Sequence, residues 1–396
     1  MKIHLTDHPD KLEQCLRSVE NTDSIALDLE FDKNYYRYGF NLCLIQVFTG
    51  TECYLIDPLS DNIQLQGIFN IFEDETISKT VFAFGEDLRL LHSLGCFPQN
   101  IYDLNIATSL LNYPPSSLTN YLSELLDVKT AKSAQKSNWF NRPLSDDQIQ
   151  YAAEDVIYLL KLREIIEKEA SERNIERWIT EENRLLNELD YSEEDDKSLT
   201  KQKDMYNMSE FCYYIYHRLM EYRDEIAQKC DKPAFKIAPA KDLAGIAQLP
   251  DLQGQLESGI DYPGILNRKI YAAELNQILN ECLEYVHQQN YSKTASAAEK
   301  NGITAKKNEK PDRNEIREAK NNFFKPVKKE ISKKYGKETA SFILSNRIIN
   351  SLIQGEKEFL LSYKKDLILS IADELDLDAE SYFPKKFKNS EAVLPK

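Results

Sequence analysis

Five side chains in the first half of this chain could do chemistry together. Asp28 and Glu30 alternate with Ile25, Leu27, Leu29 and Phe31. A strand has period two, so the two carboxylates share one face while the apolar residues fill the other. Asp87, in Phe84-Gly85-Glu86-Asp87-Leu88, follows a strand-like run and opens a helix. Tyr151 and Asp155 are four apart on a later helix and therefore lie on one side of it. Carboxylates converging from separate elements beside a phenol suit a pair of hard divalent cations, which can hold a phosphodiester and ionise water next to it.

Taken singly, each group has an ordinary explanation. Asp28 and Glu30 could be the wet face of a half-buried strand. Asp87 could compensate a helix dipole, and Asp103 could do the same before Leu104. Tyr151 and Asp155 could be a solvent contact. Against the first reading, Asp is disfavoured in strands, and like charges side by side on one face cost stability unless a cation sits between them.

The elements that must position these groups are legible in outline. Strands are expected at 25–31, 42–48, 53–56 and 80–84, with helices at 10–19, 63–72, 86–94, 104–111 and 118–126. The first three strands are joined too closely for crossover helices, so they should be antiparallel, within a mixed α/β layer fold. Asn141-Arg142-Pro143-Leu144 breaks the chain. Ser145 with Gln148 then forms a capping box, and apolar Ile149, Ala152, Val156 and Leu160 carry a helical pattern on to about Leu189. The expected division is 1–190, an acidic linker at 191–206, a helical set at 207–290, a polar tether at 291–312, and a second helical set at 313–396.

Composition bounds the function. Of 396 residues 42% are hydrophobic, enough for ordinary cores. No apolar run approaches the roughly 20 residues that cross a bilayer, and the N-terminus turns polar at once. The seven cysteines form no CxxC pair and read as reduced thiols, which makes the cytoplasm the expected compartment. The net charge is −15, which opposes nonspecific duplex binding. It is unevenly spread. From residue 300 onward there are 21 Lys+Arg against 15 Asp+Glu, and before it 29 against 50. A polyanion would approach the first part only with cations as bridges.

Asp28-Leu29-Glu30-Phe31, Glu86-Asp87-Leu88 and Tyr151 to Leu159 resemble the three exonuclease motifs of the DEDD superfamily, and a tyrosine four residues before the last Asp marks its DEDDy branch. The resemblance is closest to the ribonuclease D family. It takes in Asn41 to Gln46, Ile56-Asp57-Pro58-Leu59, and Trp139 with Arg142-Pro143-Leu144-Ser145, and spans residues 1 to about 170. More loosely, Arg218 to Ala227, Pro233, Leu243-Ala244 and Ile246-Ala247 resemble an HRDC domain, of which 313–383 is a candidate diverged copy. The usual Asp-Thr-Glu is Asp-Leu-Glu here, Asp-Thr is Asp103-Leu104, and Ala83 and Phe84 stand where a His is common.

The resemblance implies an α/β mixed-sheet, RNase H-like exonuclease domain followed by all-α HRDC-like domains. It implies that Asp28, Glu30, Asp87 and Asp155 hold two Mg²⁺ or Mn²⁺ ions while Tyr151 orients the attacking water. The expected activity is 3′-5′ hydrolysis of RNA ends, such as those of tRNA precursors or decay fragments, releasing 5′-nucleoside monophosphates. A DNA-trimming exonuclease and a catalytically silent nucleic-acid-binding scaffold stay open as alternatives.

Overall fold

The alternating run around Asp28 is the middle of a ten-residue strand, β2 (Ser24–Lys33). The structure is a computed structural model that describes residues 2–130, 134–191, 199–294, 296–297, 313–354, 360–379 and 382–383. Residues 192–198 of the acidic linker, most of the tether and the last residues of the second helical set lie outside the described residues. The described residues fall into two compact units.

The first unit is built on a six-stranded sheet. Its other strands are β1 (Lys2–Thr6), β3 (Phe40–Phe48), β4 (Glu52–Ile56), β5 (Ser78–Val81) and β6 (Ile101–Asp103), in the order β1-β4-β3-β2-β5-β6. β3 and β4 are antiparallel, whereas β1–β4, β2–β5 and β5–β6 are parallel. The sheet is therefore mixed, as a chain with both tight links and helical crossovers requires. β1 and β6 were not expected. One is five residues long and the other three, too short for alternation to register, and they lie at the two edges of the sheet.

Helices α1 (Pro9–Val19), α2 (Gln66–Glu73), α3 (Gly85–Ser93), α4 (Leu104–Leu110) and α5 (Leu118–Leu126) lie within a few residues of their expected bounds. The long pattern expected from Ser145 to Leu189 is instead three helices: α6 (Asp146–Ile157), α7 (Leu159–Glu172) and α8 (Glu176–Glu188). Asn174 closes α7 in the left-handed region at φ 55°, with the Ile175 N–H bonded back to the Ala170 carbonyl. The break at Tyr158 has no Gly or Pro to announce it. Ala26, Cys43, Leu44, Phe48 and Leu55 of the sheet form one buried core with Ala152, Val156, Leu162 and Ile166 of these helices.

That core also takes in residues from the last helical set. Helices at Arg313–Ala319, Lys325–Tyr335, Lys337–Ile343, Asn346–Ile353 and Ser362–Glu374 make up this set, which contributes Val327, Ile331, Ile343 and Ile368 from the helices, and Phe323 and Phe324 from the turn before Lys325, to that core. A π turn at Lys320–Phe324 joins the first two. The segment expected as a domain of its own thus belongs to the unit of the sheet, because its apolar faces are buried against α4 and α8. Thr339 Oγ1 donates to the Leu110 carbonyl at 2.9 Å, and Lys364 Nζ pairs with the buried Glu182 at 2.7 Å.

The second unit contains residues 31–42, which are the end of β2, the loop after it and the start of β3, and the helices from residue 202 to 288. Long helices at Glu210–Lys229 and Lys269–Gln288 enclose shorter ones at Ala234–Ile237, Ala240–Ala247 and Leu252–Ser258 around Ile215, Leu219, Ile226, Leu243, Leu266 and Leu279. Part of the stretch expected as linker is helical, at Gln202–Asn207, where the Asp204 carboxylate accepts from the Lys201 N–H at 3.1 Å and caps the turn. No helix among the described residues is long and apolar enough to cross a membrane.

Candidate active site and metal centre

Asp28 and Glu30 stand on the central strand β2, where neighbours on both sides fix the backbone. Asp155 comes from α6, whose start is secured twice. Ser145 Oγ accepts from the Gln148 N–H at 3.2 Å while Gln148 Oε1 accepts from the Ser145 N–H at 3.1 Å, the box expected from the sequence. Upstream, the Arg142 guanidinium forks onto Asp57 at 2.5 and 2.7 Å and donates to the carbonyls of Trp139 and Cys43. Burial alone would push the Asp57 carboxyl up, but Arg142 and backbone donors hold it below the usual range. That fork ties the loop before α6 to the end of β4.

One carboxylate oxygen each from Asp28, Glu30 and Asp155 lies within 4.8 Å of the others. Asp87 is outside this trio but close enough to raise the proton affinity of both Asp28 and Glu30. It is the third residue of α3 and is buried. All four expected carboxylates therefore meet electrostatically, although they start from three separate elements. Tyr151 joins them. Its hydroxyl bonds to Asp155, and its ring packs on Trp139 with centroids 6.2 Å apart.

Burial pushes the Asp28 carboxyl well above the usual range, and the charges of Asp155, Asp87 and Glu30 push it further. Glu30 is raised in the same way, by burial and then by Asp155 and Asp87. Asp87 is pushed up to about 7, chiefly by burial, with Asp103 and Glu86 adding to it. Asp155 also rises to about 7, through burial, although the Tyr151 bond opposes the shift. Burial and the nearby carboxylates drive Tyr151 upward, so it stays a protonated phenol. A cluster that cannot ionise fully by itself, and offers only oxygen donors, has the chemistry that a hard divalent cation completes.

Sequence reasoning assigned Asp103 only the start of α4, and it does accept from the Asn105 N–H at 2.8 Å. The same carboxylate also accepts from the Ala83 and Phe84 N–H groups at 2.8 and 3.0 Å. Ala83 has φ 57°, a left-handed conformation that a residue with a Cβ adopts at a cost. This clamp ends β5 earlier than expected and sets the turn from which α3 carries Asp87. The departure at Asp103-Leu104 therefore leaves the Asp, and the turn it holds, in place.

A family model described as 3′-5′ exonuclease matches residues 3–171. Ribonuclease D of Desulfotalea psychrophila is 30% identical over 229 residues, covering 56% of this chain and 60% of that protein. Ribonuclease D of Zymomonas mobilis is 30% identical over 256 residues, covering 63% and 65%. The chain thus matches less than two thirds of the length of either relative. The crystal structure of Escherichia coli RNase D aligns over 94% of this chain and 99% of that one, with TM-score 0.66 and 21% identity, which establishes a shared fold. The three motifs lie on β2, α3 and α6 of this shared fold, within the residues 3–171 that match the 3′-5′ exonuclease model, and over 56–63% of its length the chain is similar to the ribonuclease D proteins.

Proposed function

We propose that this protein is a divalent-metal-dependent 3′-5′ exoribonuclease. The observation that carries the reading is the meeting of Asp28, Glu30 and Asp155 oxygens within 4.8 Å, beside a phenol bonded to Asp155. Asp28, Glu30 and Asp155 would hold one ion, and Asp87 with Asp28 a second. When bound, two ions, Mg²⁺ or Mn²⁺, would supply charge stabilisation to the phosphodiester and lower the pKa of water. Tyr151, kept protonated, donates a hydrogen bond and orients rather than abstracts. Trp139 and the fork of Arg142 on Asp57 fix the helix that carries it. The bond broken is the terminal P–O3′, and the product is a 5′-nucleoside monophosphate.

RNA is favoured over DNA by the names of the relatives, both called ribonuclease D. The Escherichia coli protein is described as an exoribonuclease involved in structured RNA processing. Single-stranded 3′ ends of structured RNAs such as tRNA precursors are the substrates this reading assigns. Residues 207–290 form an HRDC-like module, and residues 313–383 complete the exonuclease unit. A cytoplasmic setting fits seven cysteines that are all free thiols.

The test is a 5′-labelled RNA with a 3′ overhang, incubated with the purified protein in Mg²⁺, in Mn²⁺ and in EDTA, beside a DNA of the same sequence. A ladder shortening from the 3′ end, abolished by EDTA and faster on RNA, is the expected result. Equal or faster decay of the DNA would move the substrate class to DNA, and metal-independent binding without nucleotide release would replace catalysis by scaffolding.

A further inference from the structure

We infer that the second unit carries a stacking platform for the unpaired bases of single-stranded RNA, formed by Tyr35, Tyr36 and Phe235 around Lys236. The inference rests on the exonuclease reading above, because it takes its ligand from that substrate.

Large aromatic side chains seldom face water in a cluster without a use. Tyr35 is 61% exposed and Phe235 is 55% exposed. Tyr35 and Tyr36 meet edge to face with centroids 4.8 Å apart. Lys236 Nζ lies 5.8 Å from the ring centroids of both Tyr36 and Phe235, which joins rings from two segments far apart in sequence into one patch. The Lys236 ammonium is exposed and has no carboxylate partner among the described residues.

The patch sits on a braced loop. Asp32 is buried at 5% exposure, and its carboxylate accepts from three successive N–H groups, those of Tyr35 at 3.3 Å, Tyr36 at 2.9 Å and Arg37 at 3.1 Å. Asn34 and Gly39 close the loop, the Asn34 N–H donating to the Gly39 carbonyl at 2.8 Å and the Gly39 N–H to Asn34 Oδ1 at 2.7 Å. The Tyr38 hydroxyl donates to Asp224 at 2.6 Å. Rings held out by a prepaid backbone lose little entropy when they bind.

Aromatic faces with an unpaired cation are what a sequence-tolerant grip on a single strand needs, since every base has a π face and every linkage a charge. Chain connectivity favours that occupant too. Tyr35 is five residues after Glu30, so at most about 17 Å of extended chain separates them, the reach of a few nucleotides. A strand whose end is at the carboxylates has unpaired bases to offer at that range.

The experiment uses the full chain with Tyr35→Ala/Phe235→Ala and, separately, Lys236→Ala, all at exposed positions, and compares an oligouridylate with a dinucleotide as substrates. The double variant is expected to raise KM for the oligouridylate about 10- to 100-fold. Its kcat on that substrate and its kcat/KM on the dinucleotide should match the wild type. Lys236→Ala should flatten the salt dependence of KM. An unchanged KM, or an equal loss on the dinucleotide, overturns the platform. If the wild type cleaves neither substrate, the exonuclease reading fails. Fluorescence anisotropy of labelled oligouridylate in EDTA then still decides the platform, which requires weaker binding by the double variant.

Discussion

At the scale of single residues, the site is a set of carboxylates whose charges oppose one another. Asp28 is the hub, because Asp155, Asp87 and Glu30 all raise it. Asp28→Asn should cut metal-dependent nucleotide release by about 10³-fold or more. It should leave the metal-free fold as stable as the wild type or more so, because it removes a buried repulsion. Activity assays and thermal melts in EDTA check both halves. Tyr151→Phe should lower kcat by about 10²-fold with little change in substrate binding, as expected for a group that orients water. The same residues fix a pH signature. Asp87 and Asp155 titrate near 7 in the fold against an ordinary 3.8. Raised carboxyls contribute stability that is full below about pH 4 and is lost as pH climbs through about 7. In EDTA the melting temperature should therefore fall between pH 5 and pH 8. Added Mg²⁺ should raise it more at pH 8 than at pH 5. A metal effect equal at both values would mean that the carboxylates are not its target.

At the scale of elements, the account turns on how each site residue is presented. The alternation around Asp28 and the Ser145–Gln148 box could be read because both are local: a period of two and a spacing of three. The clamp of Asp103 on Ala83 and Phe84 could not. It joins two turns 19 and 20 residues apart in sequence, and an alanine gives no hint of positive φ. The end of β5 was misplaced for the same reason. Asp103→Asn swaps an acceptor for an NH₂ facing backbone donors. It should raise the Mg²⁺ concentration for half-maximal rate several-fold, and adding Ala83→Gly, which tolerates that φ, should recover part of the loss. An Mg²⁺ titration of both variants checks it. Tyr158, where α6 gives way to α7, carries no stop signal, so one long helix was the natural reading of its sequence.

At the scale of the whole molecule, the outline of an α/β unit followed by helical segments was legible from periodicity alone. The assignment of residues 313–383 was not. An amphipathic face shows that a partner exists without saying which, and here Phe323, Phe324 and Ile331 found theirs in the core of the sheet unit. Lys364→Ala would strand the buried Glu182 carboxylate, which also accepts from the Tyr363 hydroxyl, and should cost about 3–5 kcal/mol in chemical denaturation. Loss of less than ~1 kcal/mol would argue that the last helices are only loosely attached. The measurement that bears most directly on the central claim is the anomalous difference map of a crystal soaked in Mn²⁺. The account predicts a peak bounded by the carboxylates of Asp28, Glu30 and Asp155, with a second towards Asp87. A map empty at those side chains, from protein that still releases nucleotides in Mn²⁺, would contradict it.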